Sequence, residues 1–225
     1  YDCRFAHTFE TSGRFIVEVR ESRYEGNKAW NYVLRMGDFP AANVAIPSVA
    51  MPGSKASLWL PEISDDPFEV TVAARPRMRS FFQEVRSSSR TVATWIPLQS
   101  TSLTKHSFES EPNDDPDETA TVVSIPGMLS GIINAPDDRD CFAFHLTKGQ
   151  TINITAESRE IGSAADLELV LYQPDGREVQ RNDDASYVFK QQTVPLEARF
   201  TFGARTDGQH WLMVSEVAAD GGPSF

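Results

Sequence analysis

The sequence predicts an all-β protein, and three features carry the prediction. Polar and apolar residues alternate with a period of two in short runs such as Phe68-Glu69-Val70-Thr71-Val72, the pattern of a half-buried strand. The 14 prolines and 13 glycines punctuate the chain at short intervals, which suits tight turns between short strands. No extended stretch has the apolar spacing of an amphipathic helix. A length of 225 residues allows one or two domains, and 40% hydrophobic with 10% aromatic residues is enough for a core of ordinary size.

Three parts follow in order. Residues 1–39 predict two strands, at 15–19 and 32–35, joined by a turn at Tyr24-Glu25-Gly26-Asn27. This part has a second copy near the other end of the chain. Under one constant offset Arg4 pairs with Arg199, Phe5 with Phe200, Thr11 with Thr206, Gly13 with Gly208, Val19 with Val214, Glu21 with Glu216 and Gly26 with Gly221. Self-similarity at long period means tandem modules. Residues 1–39 are therefore expected to be the final strands of an upstream module, within a longer protein. The later copy stops short of a counterpart to 32–35, so its domain is expected to lack its last strand. In the alternative arrangement, residues 1–39 themselves complete that sandwich.

Residues 40–106 predict a small immunoglobulin-like β segment and linker. Its candidate strands are 43–46, 56–60, 68–73, 81–85 and 91–96, with serine-rich turns at 87–89 and 100–102. Residues 107–225 predict a β-sandwich. Two hairpins are expected there, one around Lys148-Gly149 and one around Pro174-Asp175-Gly176, since Gly takes positive φ cheaply in such turns. Gly208 is expected to do the same before the strand containing Trp211 and Val214.

The third part also holds the densest set of hard oxygen ligands. Glu109-Ser110-Glu111-Pro112-Asn113-Asp114 precedes a second acidic loop, Pro136-Asp137-Asp138-Arg139-Asp140. Pro112 pushes Glu111 toward an extended backbone, and residues two apart on an extended chain face one way. Glu109, Glu111 and Asn113 then share a side, with Asp114 next to them at the turn. If the 137–140 loop folds onto that side, the carboxylates repel unless a cation sits among them, and Ca²⁺ accepts such oxygens in flexible geometry. The competing reading is a solvated acidic linker, 109–118, that binds nothing.

The order of motifs adds a resemblance. Glu111-Pro112-Asn113-Asp114 and Ala120 are followed by a strand ending in Leu129-Ser130-Gly131, then by Asp137-x-x-Asp140-Cys141-Phe142-x-Phe144 and Lys148-Gly149-Gln150-Thr151. Ala165-Asp166-Leu167, Pro174-Asp175-Gly176, Asn182-Asp183-Asp184 and Thr206-Asp207-Gly208-Gln209-His210-Trp211 complete the series. Residues 107–225 thus resemble the bacterial and archaeal pre-peptidase C-terminal domain, and are similar to the collagen-binding domain of clostridial collagenases. The resemblance implies a jelly-roll-like β-sandwich and a Ca²⁺ site ligated by Glu109, Glu111, Asn113, Asp114, Asp137 and Asp140. Cys141 stands where that family usually has Tyr, a change of packing that leaves Asp140 in place. The collagen-contacting aromatic face is not reproduced on the strand of Trp211, Met213 and Ser215, so collagen binding is not carried over. Tyr187, Phe189 and Trp211 make a second candidate ligand face, with burial in the core the favoured reading.

A net charge of −11 argues against nucleic acid and anionic membranes and suits cations. Arg75-Pro76-Arg77-Met78-Arg79, the local exception, is expected to be a solvated turn or strand edge. Cys3 and Cys141 are too few for a disulfide scaffold and are expected to be separate buried thiols. His7, His106, His145 and His210 have no metal-ligand spacing, and no nucleophile or phosphate-loop motif occurs. Asp166 and 182–184 are expected to be turn residues bonded to nearby backbone rather than a second cation site.

The sequence therefore predicts a non-catalytic, calcium-binding module of a secreted or cell-surface multidomain protein, acting in domain spacing, adhesion or surface assembly. Its expected partners are neighbouring modules of the same chain and a surface protein or polysaccharide, with no membrane insertion in this segment. The alternatives are an accessory domain of a secreted peptidase and a carbohydrate- or protein-binding module.

Overall fold

The computed structural model describes residues 7, 9–21, 24–29, 31–34, 36–37, 41–74, 79–86, 94–102, 105–116, 118–189 and 192–222, with side chains of 185–196 excepted. The described residues are strands and turns, apart from one 3-10 turn at Arg159–Ile161. No helix is long and apolar enough to cross a membrane. The all-β class is as the sequence predicts, and the strands pack as two sandwiches.

The first sandwich contains β1 (Val49–Ala50), β2 (Lys55–Leu58), β3 (Phe68–Thr71), β4 (Ser80–Val85) and β5 (Thr94–Ser100). One sheet has the order β1-β5-β4; β2 and β3 pair antiparallel beside it. The alternation legible in the sequence puts Phe81 and Val85 of β4 and Ile96 and Leu98 of β5 inward, against Leu58, Leu60 and Val72. Each such side chain contributes roughly 1.5–3 kcal/mol by leaving water. The strand expected at 43–46 is reduced to a single bridge between Ile46 and Trp59. Ser48, whose hydroxyl donates to the Ala45 carbonyl, turns the chain there into β1.

The second sandwich holds β6 (His106–Phe108), β7 (Thr121–Val122), β8 (Met128–Ser130), β9 (Arg139–Leu146), β10 (Thr151–Thr155), β11 (Leu167–Tyr172), β12 (Glu178–Asn182), β13 (Ala185–Phe189), β14 (Gln192–Leu196), β15 (Arg199–Gly203) and β16 (Gly208–Glu216). The main sheet runs β12-β11-β16-β9-β7, β10 pairs with β15, and β6 pairs in parallel with β8. Phe142, Phe144, Leu169, Leu171 and Leu212 of the main sheet form the core, with Ile152, Ile154, Phe200 and Phe202 of the β10–β15 pair packed against it.

The Pro174-Asp175-Gly176 hairpin forms as expected. Gly176 has φ +79° and the Asp175 carboxylate accepts from the Arg177 amide. The Lys148-Gly149 hairpin does not form. β9 pairs with β16 and β10 with β15, so this turn crosses from one sheet to the other. The reason is in β9 itself. It buries Phe142 and Phe144 on one face and Cys141 and Ala143 on the other, so it needs a strand on each side and a cover on both faces. β10 alternates half-buried with exposed residues and suits a sheet with one face in water.

The strands expected at 15–19 and 32–35 are also absent among the described residues of 7–37. These residues pair with no sheet, and Ile16 and Val33 are 88% and 96% exposed. None of these described residues joins the second sandwich, in which β9 and β11 both pair with β16. A hairpin with no sheet to join is marginal in water.

Candidate metal centre

The acidic cluster lies where β6 leaves its pairing with β8 and where β9 begins. Glu109 follows β6, and its amide donates to the Ser130 carbonyl at 3.0 Å. Its Oε1 accepts from the Ile132 amide at 2.8 Å. Glu111 is aimed by two contacts: Oε2 accepts from the Asn113 amide at 3.0 Å and Oε1 from Asn134 Nδ2 at 2.6 Å. Asp140, the second residue of β9, enters from the main sheet. One carboxylate oxygen from each of Glu109, Glu111 and Asp140 lies within 4.8 Å of the others. The expected alternation from Glu109 to Glu111 and the expected approach of the distant loop are both realised for these three.

Asn113 joins them in an unusual way. Its side chain is completely buried, yet neither Oδ1 nor Nδ2 has a hydrogen-bond partner. It lies near enough to Asp140 to favour the ionised carboxylate, without reaching bonding geometry. Glu109 Oε2 and Asp140 Oδ1 are likewise buried and unpartnered. An unsatisfied buried polar atom costs about 1–3 kcal/mol, and three of these four are oxygens that a cation would satisfy, whereas the Asn113 Nδ2 donor needs an acceptor instead. Gly131 borders the same point: a Cβ there would overlap Glu109 Oε2 and come within 3.0 Å of Asp140 Oδ2.

The electrostatics agree. Burial and the neighbouring carboxylates of Glu109 and Asp138 together push the Asp140 carboxyl up to about 10. Burial likewise raises Glu109. Two like charges about 4 Å apart repel by ~4 kcal/mol at the effective dielectric of a protein surface. At neutral pH the cluster must therefore keep a proton or take a cation. The donors are carboxylate and amide oxygens, with no thiol or imidazole among the grouped residues. That set fits a hard divalent ion, Ca²⁺ above the softer transition metals.

The remaining expected ligands lie outside this tight group. Asp114 and Asp137 are exposed and line an open groove with Glu111, Asn134 and Asp138. Asp137 has φ +65°, and Asp114 meets the cluster's strand through its backbone, its carbonyl accepting from Cys141 Sγ at 3.4 Å. Asp138 has a part that the sequence reading missed. It is buried, and its carboxylate accepts from the amides of Asn134 at 2.6 Å and Arg139 at 2.8 Å, which shapes the loop delivering Asp140. The signal for Asp138 was its place in the run Asp137-Asp138-Arg139-Asp140. Its role depends on backbone amides that only the folded loop presents.

Other candidate residues are accounted for elsewhere. His145 is exposed, as expected from its alternation with Phe144 and Leu146. His210 is fully buried, with Nδ1 against the Gly208 carbonyl and its ring edge-on to Phe202; burial pushes its pKa down. His106 Nε2 meets Ser130 Oγ at 2.9 Å. Cys141 is a buried free thiol pushed up to about 12 by burial and the neighbouring carboxylates, and Cys3 lies outside the described residues. Trp211 is 8% exposed, while the side chains of Tyr187 and Phe189 lie outside the described set. Asp183 accepts from the adjacent Asp184 amide as expected, whereas Asp166 pairs with the Arg159 side chain and Asn182, the last residue of β12, accepts from the amide of Arg199 at the start of β15. Arg79 is not merely a solvated edge: it pairs with Glu157 and Glu160 of the second sandwich. Residues 75–78 lie outside the described residues. A scan against protein-family models matches no family, and a search of curated proteins finds no match.

Proposed function

We propose that this chain is a non-catalytic, calcium-binding β-sandwich module of a secreted or cell-surface multidomain protein. Glu109, Glu111, Asn113 and Asp140 would hold the ion, with Asp114 and Asp137 at its outer rim. When bound, Ca²⁺ supplies charge neutralisation and a fixed link between two segments distant in sequence. The observation that carries this reading is the fully buried Asn113 side chain, its Oδ1 without a partner and set beside three converging carboxylates. A solvated acidic linker has no reason to bury such a group. The order of motifs from Glu111-Pro112-Asn113-Asp114 to Gly208 supports the same reading through its resemblance to the pre-peptidase C-terminal domain.

The acids gather at one point instead of facing one another across a cleft, which suits a cation better than paired acid–base chemistry. The ion would fasten the segment after β6 to β9. β6 is the first strand of the second sandwich, so the ion would fix the point where the chain enters that sandwich to its main sheet. The role that fits is stiffening of the module beside its junction. Calorimetric titration of Ca²⁺ into chelator-treated protein, with Mg²⁺ and Zn²⁺ for comparison, tests it. Binding of Ca²⁺ with a raised melting temperature is expected; at a hundredfold excess over Kd the gain is about 2.7 kcal/mol. Absence of both heat and melting shift at millimolar Ca²⁺ would rule the site out.

A further inference from the structure

The repeat noted in the sequence reappears in the backbone, in a place where no sheet enforces it. At the end of β16 the Ala219 amide donates to the Glu216 carbonyl at 3.2 Å, and the Asp220 amide donates to Glu216 Oε2 at 3.0 Å. Under the repeat offset Glu216, Ala219 and Asp220 correspond to Glu21, Tyr24 and Glu25. There the Tyr24 amide donates to the Glu21 carbonyl at 3.1 Å, and the Glu25 amide donates to Glu21 Oε2 at 3.2 Å. Tyr24 and Ala219 both have φ +58°. A left-handed backbone at a residue carrying a Cβ costs roughly 1–2 kcal/mol, so the same unfavourable turn at matched positions reflects a shared design.

The two copies differ in what surrounds them. Leu212, Trp211 and His210 of β16 are 4%, 8% and 0% exposed between β9 and β11, whereas their counterparts Val17, Ile16 and Phe15 are 49%, 88% and 52% exposed. Gly221 lies so close to the Ala135 backbone that a Cβ would overlap it, and the Ala219 carbonyl accepts from the Asp137 amide. Gly26, its counterpart, has nothing within 4 Å. Among the described residues the first copy has its closing turn but neither flanking strands nor a loop beneath its glycine.

We propose that residues 9–29 are the closing strand and turn of a second sandwich of this kind. They complete it by inserting between strands equivalent to β9 and β11, with Gly26 seated on that module's counterpart of the 135–137 loop. The partner belongs to the same polypeptide, upstream. In this chain the β9- and β11-type strands precede the β16-type strand, and a second copy of the chain offers no vacancy, because β16 already occupies the place. A stripe of apolar side chains that would otherwise face water thus links one module to the next.

Hydrogen exchange on the present chain and on the natural chain extended upstream by one further repeat tests the proposal. Amides 15–19 should exchange freely in the first and slow by at least ~100-fold in the second, as for a central strand. Gly26→Val should lower the melting temperature of the extended chain and leave the present chain unchanged. Free exchange at 15–19 in the extended chain, or an upstream sequence without strands of the β9 and β11 type, overturns the proposal. Protection that arises in the present chain on raising its concentration assigns the strand to exchange between copies and overturns it too. Calcium titration of the present chain involves none of these residues, so the two readings stand or fall separately.

Discussion

At the scale of single residues, the cluster stores unfavourable free energy in the metal-free state. Replacing Asp140 by Asn removes a buried carboxyl while keeping its shape. Asp140→Asn should therefore melt no lower than the parent in chelator and lose most of the calcium-induced rise; an equal loss in both conditions would make Asp140 a packing residue. The pH dependence has a definite sign. The folded carboxyl is pushed up to about 10 from an ordinary 3.8, by burial first and by Glu109 second. Between those values the folded chain keeps a proton that the unfolded chain has released. The metal-free protein accordingly loses stability as pH rises through this window, by at most ~1.4 kcal/mol per unit, and this group contributes nothing to the change below the lower value. Melting curves in chelator from about pH 5 to about pH 8 should show the parent falling relative to Asp140→Asn. Parallel curves would show that Asp140 ionises normally. The convergence of Glu109 and Glu111 was legible because an extended backbone puts alternate residues on one side; Asn113 comes beside them across a bend at 111–112, which that rule does not describe. Asp138 was not legible, since its carboxylate organises amides that only the folded loop brings together.

At the scale of elements, turn chemistry was legible only where sequence neighbours are also sheet neighbours. The β11–β12 hairpin satisfies that condition, and Asp175 and Gly176 identify it without further context. Lys148-Gly149 carries the same local signal, with Gly149 at φ +86°, yet joins strands of different sheets. What decides is the two-sided burial of β9, which depends on β16 far along the chain. The copy at 15–19 makes the same point in reverse: strand-forming residues stay unpaired where flanking strands are missing. Gly176→Ala should thus cost roughly 1–2 kcal/mol through its left-handed backbone, a fall of a few degrees in melting temperature, and leave calcium affinity unchanged. A change in calcium affinity would mean that the β11–β12 edge is coupled to the cluster. Gly131→Ala should do the opposite, abolishing the calcium response by forcing Glu109 aside while changing the metal-free melting point little.

At the scale of the molecule, the cluster and the contact between sandwiches lie at one end of the second sandwich. β9 begins there at Arg139, β16 ends opposite at Glu216, and β10 returns there at Thr155 before the 3-10 turn. From this end Glu157 and Glu160 reach Arg79, Glu160 also accepts from Gln99 Nε2 at 3.1 Å, and Gly162 packs on Asn43 and Pro97. These ion pairs are partly exposed and contribute at most about 1 kcal/mol each. The close approach at Gly162 is the more demanding contact: a Cβ would come within 2.5 Å of the Asn43 carbonyl oxygen and 3.0 Å of Pro97 Cγ, at φ +91°. Two devices therefore act at the junction, a small polar interface between the sandwiches and a calcium link at Glu109 and Glu111 that would fix β6, where the chain enters the second sandwich, to β9. Neither is large, so removing one should be felt in the angle between modules before it is felt in folding. Small-angle scattering should give one compact profile in calcium and a larger radius of gyration in chelator. Gly162→Val should widen the profile in both conditions but respond more steeply to chelation, because the anchorage of β6 is then the remaining restraint. Identical profiles with and without calcium in both proteins would separate metal binding from module spacing and reduce the ion to a local staple.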